Sequence, residues 1–308
     1  MIRKEKINTD IFSQYTVLVI DIYQYSKYPL LEQSLIPFLF QSIYSETAVL
    51  CVSNNEYIFQ NYIINNKNLE NLIAEPANYK AGKGLQITKL LVNDMQKHFI
   101  CTGDGGYQLF ETPIHALCFA MFFEYVLRSY NSFAFLPKLR AIVGELTCRY
   151  VVTLDDVYRF DNKYFGTAII NNARLLSKNK LNRFLLDEKT YKWFLLNCNG
   201  LETLKSFTLG EVSKIPALKN YNKKFLNKNS LIFFNGILEE FRQIYSPNSN
   251  IESVDIMKIG QVEIKTKPYS IYNAVIKYIF WPQDLKNPNK YRKIVCTLGN
   301  YNIAGLEN

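Results

Sequence analysis

Residues 15–22, Tyr-Thr-Val-Leu-Val-Ile-Asp-Ile, are almost all apolar, and most are β-branched. That pattern predicts a strand buried on both faces. Asp21 interrupts it, and a carboxylate at the end of a buried strand is costly unless paired or bound to a metal. A polar loop, Tyr23-Gln24-Tyr25-Ser26, follows, with Ser26 placed to cap a helix over 30–44 and Pro29 near its first turn. Residues 48–53 read as a short strand. Residues 54–83 are polar, Asn-rich and broken by Pro76 and Gly82-Lys83-Gly84, and they read as an insertion or long loop. Residues 85–97 carry a short helix.

The next stretch turns sharply. His98-Phe99-Ile100-Cys101-Thr102-Gly103-Asp104-Gly105-Gly106-Tyr107-Gln108-Leu109-Phe110 has two β-rich arms around Asp-Gly, the signature of a hairpin with Asp104 at its tip. Small neighbours at such a tip leave room for a phosphate beside the carboxylate; a plain turn is the alternative. Pro113 then opens a helix to about Ser129. Residues 139–146 read as a strand, with 149–158 as its antiparallel neighbour. A helix over 166–177, a strand over 184–187, a helix over 188–196 and a strand over 204–212 complete the series. The order implies an α+β fold with a ferredoxin-like βαββαβ core, a buried sheet and helices on one face. Residues 216–230 are Lys/Asn-rich and read as a linker. Beyond them, a helix over 231–244 and strands over 255–265, 272–279 and 293–298 read as a second, smaller α+β domain, 231–308, behind a first domain of 1–215.

Composition narrows the possibilities. Apolar residues make up 48% of the 308, enough for a substantial core. The start is charged and no apolar run follows closely, so no leader is expected. The most apolar helical stretch, 116–127, is short and contains Glu124, so no membrane partner is expected. The six cysteines form no Cys-x-x-Cys pair and there are two histidines, which argues against zinc and for a reduced cytoplasm. The net charge of +9 comes with abundant Asn, Ile and Tyr rather than an arginine-rich arm, so no nucleic-acid partner is expected.

Two carboxylates remain, Asp21 and Asp104. On adjacent strand ends they would hold a pair of Mg²⁺ or Mn²⁺ ions, which prefer oxygen ligands and take the rest from substrate phosphates. Backbone N–H groups over 22–26 suit a triphosphate.

Together with Tyr25-Ser26, Arg140-Ala141-Ile142-Val143-Gly144-Glu145, Phe165-Gly166 and residues 171–175, these motifs resemble the class III nucleotidyl cyclase catalytic domain over roughly residues 10 to 215. The Thr-Gly-Asp-Gly version resembles the Pycsar antiphage cyclases, which make cyclic UMP or cyclic CMP. The resemblance implies two divalent cations on Asp21, Asp104 and the Ile22 carbonyl. It implies that Arg174 stabilises charge on the phosphoryl group, the alternative being an exposed helix arginine. Lys214 is similar in place to a phosphate-gripping lysine. Many family members carry a ribose-orienting asparagine four residues before the arginine; here that position is Ile170, with Asn171 and Asn172 next to it. Purine cyclases usually place a lysine and an Asp-like residue where this chain has Ile100 and Lys163. Neither can accept from the adenine N6 group, whereas Lys163 can donate to a pyrimidine carbonyl. A pyrimidine is therefore expected ahead of adenine, and less decisively ahead of guanine, whose O6 also accepts; UTP is expected ahead of CTP, with an adenylate or guanylate cyclase, or an inactive nucleotide sensor, as alternatives. The family further implies a homodimer with sites between protomers, a cyclic nucleotide acting through a separate effector, and a nucleotide-sensor or packing role for 231–308.

Overall fold

Strand β1 (Ser13–Ile22) is held on both sides, antiparallel to β3 (Gly105–Phe110) and to β4 (Cys148–Phe160). β3 pairs in turn with β2 (Phe99–Cys101). Helices α1 (Leu30–Asn54) and α2 (Lys83–Lys97) connect β1 to β2, and α3 (Pro113–Asn131) and α4 (Pro137–Val143) connect β3 to β4. The spatial order β4-β1-β3-β2 is the ferredoxin-like βαββαβ arrangement, within an α+β fold. This computed structural model describes residues 13–54, 83–160, 163–179, 183–197, 249–264, 267–280, 283–284, 287–291 and 294–299.

The sheet continues past β4. β6 (Phe184–Asp187) pairs parallel with β4, and β8 (Lys267–Phe280) pairs antiparallel with β6. β7 (Ser249–Ile264) and β11 (Ile294–Leu298) both pair with β8. β5 (Lys163–Gly166) folds back on the end of β4, while β9 (Gln283–Asp284) and β10 (Asn287–Tyr291) form a ribbon of their own.

Alternation along β1 sends its side chains to two different cores. Leu18, Ile20 and Ile22 join the main cluster with Ile36, Phe40 and Tyr44 of α1 and Phe119 and Phe123 of α3. Val17 and Val19 face the other way, toward Ala168 and Leu175 of α5 (Thr167–Lys178). Each such buried side chain contributes on the order of 1.5–3 kcal/mol. Because α3 is buried almost all round, its polar residues need internal partners. Glu124 accepts from Arg128 Nε at 2.8 Å and from the Tyr150 hydroxyl at 2.7 Å. Gln108, buried on β3, accepts from the Tyr44 hydroxyl and donates to the Met95 carbonyl, pinning α1 and α2 to the hairpin.

Several expectations need correction. Helices were expected on one face of the sheet, but α5 covers the second face. Residues 48–53, expected as a strand, continue α1, because Ala48, Cys51 and Val52 bury at helical spacing in the main cluster. Residues 139–146, also expected as a strand, begin with α4: Pro137 opens it and Gly144, at φ 85°, ends it. β4 therefore has β1, not 139–146, as its antiparallel neighbour. Ser26 lies inside a 3-10 turn, Tyr25–Lys27, rather than capping α1. Among the described residues, Leu30–Val52 is the one helical stretch long and apolar enough to cross a membrane by length and composition; its most apolar window has a mean hydropathy of 1.5, and half of that window is buried.

Two of the strands expected in the C-terminal part, β8 and its partner β7, are joined to the core sheet through the β6–β8 pairing. Side chains reinforce the join. Tyr269 donates to Asp187 at 2.6 Å, Tyr191 of α6 (Glu188–Asn197) stacks on Tyr272, and Arg128 donates to the Thr297 carbonyl at 3.0 Å. The expected insertion at 54–83, apart from its ends, the strand at 204–212, the linker at 216–230 and the helix at 231–244 lie outside the described residues.

Candidate functional site

β1 and β3 end together. In their antiparallel register Asp21 stands opposite Gly105, so the last turn of the hairpin lies beside the end of β1. The Ile22 amide donates to the Asp104 carbonyl at 3.0 Å, which fixes Asp104 next to the Asp21–Ile22 peptide. The turn itself is Thr102-Gly103-Asp104, closed by the Thr102 amide on the Gly105 carbonyl at 3.0 Å. Gly103, not Gly105, has the left-handed φ, +96°. Gly105 serves a different need. A Cβ there would lie 2.2 Å from the Ile20 carbonyl oxygen and 2.9 Å from Asp21 Cα, so only glycine lets the two strands approach this closely.

Asp104 is half-buried, and the Thr102 hydroxyl donates to its Oδ1 at 3.3 Å. Asp21 is nearly buried, on the sheet face shared with Val17 and Val19. Burial raises its pKa above the ordinary carboxylate value, Arg149 lowers it, and the negative charge of Asp104 raises it again. Arg149 Nε and Nη2 both donate to Asp21 Oδ2, at 2.8 and 2.5 Å. Its Nη1 donates to the Asn179 carbonyl just past α5, and its guanidinium lies 5.6 Å from the centre of the Tyr23 ring. Tyr107 completes the surroundings: its phenol pKa is raised by burial, then by the charges of Asp21 and Asp104.

This donor set fits hard divalent cations. The oxygens that would serve as ligands are those of two carboxylates and a backbone carbonyl, and the two carboxylates repel unless a cation lies between them. Among the described residues no group of three or more His, Cys, Asp or Glu side chains gathers anywhere, so any cation here shares its remaining positions with water or substrate phosphate.

The other expected site residues divide. Arg174 is half-buried on α5, and its Nη1 has no hydrogen-bond partner among the described residues. Asn171 is turned inward and hydrogen-bonds the Tyr269 hydroxyl, which itself donates to Asp187. Asn172 is fully buried; its amide donates to the Val17 carbonyl at 2.7 Å and to Val151 and Thr153 at 3.2 Å, pinning α5 to β1 and β4. Ile170 is exposed. Ile100 packs with Tyr107 and Tyr164 in the cluster under α5, and Lys163 is exposed on β5 opposite Phe160. Lys214 lies outside the described residues. The fold thus joins Asp21, Ile22 and Asp104, and no described contact brings Arg174, Asn171 or Lys163 to them. Arg149 and Tyr107 were not legible as site residues. Tyr107 sits in the hairpin as an ordinary strand aromatic, and Arg149 is 128 residues from its partner.

No family model matches this sequence, and no curated protein sequence matches it. Among solved structures, an adenylate/guanylate cyclase/hydrolase from Silicibacter pomeroyi aligns at 13% identity over 85% of this chain and 96% of its own, with a TM-score of 0.39. The guanylyl cyclase Cya2 aligns at 10% identity over 85% and 92%, TM-score 0.40, and the adenylyl cyclase CyaB from P. aeruginosa at 11% over 85% and 94%, TM-score 0.39.

Proposed function

We propose that this chain is a nucleotidyl cyclase that converts a nucleoside triphosphate to its 3′,5′-cyclic monophosphate and pyrophosphate, with UTP preferred to CTP. The observation that carries the reading is the meeting of Asp21 and Asp104 at one end of β1, with the Ile22 peptide held between them. Two divalent cations, Mg²⁺ or Mn²⁺, on Asp21, Asp104 and the Ile22 carbonyl would lower the pKa of the ribose 3′-hydroxyl and neutralise the triphosphate. Arg174, with one amino group unpartnered among the described residues, is the residue for charge on the phosphoryl group, and Lys214 is assigned to the phosphates.

No described contact joins Arg174 to the aspartates within one chain, which favours a site completed by a second copy. Tyr158, Phe160 and Phe165 on the β4–β5 hairpin, with Ile170 on α5, expose apolar surface that such a partner would cover. For the base, half-buried Ile100 offers no hydrogen bond and exposed Lys163 offers only donors, which suits a pyrimidine carbonyl and leaves adenine N6 unmatched. A role in antiphage defence, through a separate effector that reads the cyclic product, rests on the resemblance of the Thr-Gly-Asp-Gly motif alone.

The deciding experiment incubates the protein with each of the four nucleoside triphosphates and Mn²⁺ and identifies any cyclic product by mass. Cyclic UMP is expected, and Asp21→Ala or Asp104→Ala abolishes it with the fold intact. Cyclic AMP or cyclic GMP as the main product would overturn the base assignment; full activity in either variant would overturn the site. The inward turn of Asn171 and the exposure of Ile170, where many family members orient a ribose, favour one other reading: a cyclase fold that only binds nucleotide. Tight triphosphate binding with no turnover at any metal concentration would establish it.

A further inference from the structure

We infer that Arg149 is the positioning residue that fixes how Asp21 presents its carboxylate to a divalent cation, an inference that rests on the metal-site reading above. Both forward donors of the guanidinium fall on one oxygen, Oδ2, at 2.8 and 2.5 Å. No hydrogen bond from a described residue falls on Oδ1. The carboxylate is therefore divided, with one oxygen held by Arg149 and the other available to the metal.

The guanidinium is itself held from behind. Nη1 donates to the Asn179 carbonyl at 2.5 Å, just past the end of α5, and the Asn179 side-chain amide donates to the Tyr150 and Arg183 carbonyls at 3.4 Å. The arginine thus spans two anchors, a metal-binding carboxylate and the helix that carries Arg174. A planar fork with fixed donor directions holds both at once. A lysine ammonium has the charge but not that geometry.

Charge and orientation make opposite demands here. A cation beside Asp21 repels a divalent ion, so if charge decided, removing Arg149 would tighten metal binding. If orientation decides, removing it loosens binding, as happens when partners that aim a metal ligand are lost. The division of the carboxylate oxygens favours orientation, because a metal on Oδ1 does not have to displace the arginine.

Mn²⁺ binding to the nucleotide-free protein, measured by calorimetry and by the electron paramagnetic resonance signal of free Mn²⁺, separates these. Arg149→Lys and Arg149→Gln, each shown to be folded by circular dichroism, should weaken Mn²⁺ binding by about 10- to 100-fold. Wild-type affinity in Arg149→Lys, or tighter binding in Arg149→Gln, would overturn the inference. In the wild-type chain, the Nε–H resonance of Arg149 should stay protected from exchange when Mg²⁺ is added; its loss would show that the arginine is displaced. That measurement holds even if both variants fail to fold. If wild-type binding is unchanged by Asp104→Asn, the metal-site reading itself fails, which is a different outcome from a null result at Arg149.

Discussion

Replacing Gly105 with alanine adds a single carbon at the tightest approach between β1 and β3. The new Cβ would lie 2.2 Å from the Ile20 carbonyl oxygen and 2.9 Å from Asp21 Cα, both backbone atoms. A comfortable carbon–oxygen contact is ~3.3 Å, so the strands must part by roughly 1 Å. No rotamer change relieves this, because neither neighbour is a side chain. Overpacking of this kind costs about 1–3 kcal/mol. At about 2 cal/mol/K of unfolding entropy per residue, a chain of 308 residues then melts roughly 2–5 °C lower. The displacement falls on Asp21 and on the amide of Ile22 that holds Asp104. A misplacement of about 1 Å at a reacting centre costs on the order of 10²-fold in rate. Thermal denaturation of Gly105→Ala should show the lower midpoint, and titration with Mn²⁺ should show weakened binding in protein that is still folded. A variant with wild-type melting and wild-type Mn²⁺ affinity would refute the claim that this glycine sets the spacing of the two aspartates.

Two further predictions concern the scaffold. Burial, then the charge of Asp94, raises the Glu111 carboxyl from 4.5 to about 7. A raised folded-state pKa leaves stability intact below pH 4.5 and removes it as pH rises through 7, by at most roughly 3 kcal/mol. Glu111→Gln should therefore flatten the fall in melting temperature between pH 5 and 8, and an unchanged pH profile would contradict this. Asn172→Leu removes the donor shared by the Val17 and Val151 carbonyls and Thr153, and should cost about 1–3 kcal/mol in urea denaturation; a stability loss below about 0.5 kcal/mol would show that α5 is pinned by packing alone.

Sequence pattern and fold agree wherever the neighbours that decide a segment lie close in sequence. β1, the hairpin from Phe99 to Phe110, the helix opened by Pro113 and the β6–α6 step each carry their pattern and punctuation within about a dozen residues. Pattern and fold part where burial, not propensity, chooses the state. Ala48, Cys51 and Val52 are compatible with either a strand or a helix, and contact with the α3 core made them helix. Residues 137–143 have a strand-like apolar run but bury only Val143, and Pro137 suits a helix start.

The sequence by itself determined the two carboxylates, their order and the glycine-rich turn that presents one of them. Asp21 was conspicuous because a charge inside a continuous β-branched run needs a reason, and Asp104 because glycines surround it. Only the tertiary structure decided what each acid touches. Strand register brings Asp21 opposite both Gly105 and Arg149, across 84 and 128 residues of chain. It also carries the C-terminal strands onto β6 and turns Asn171 toward Tyr269. Pairings at such separations are set by the hydrogen-bond ladder and by which faces must be buried, and neither leaves a mark in the residues immediately before or after the pair.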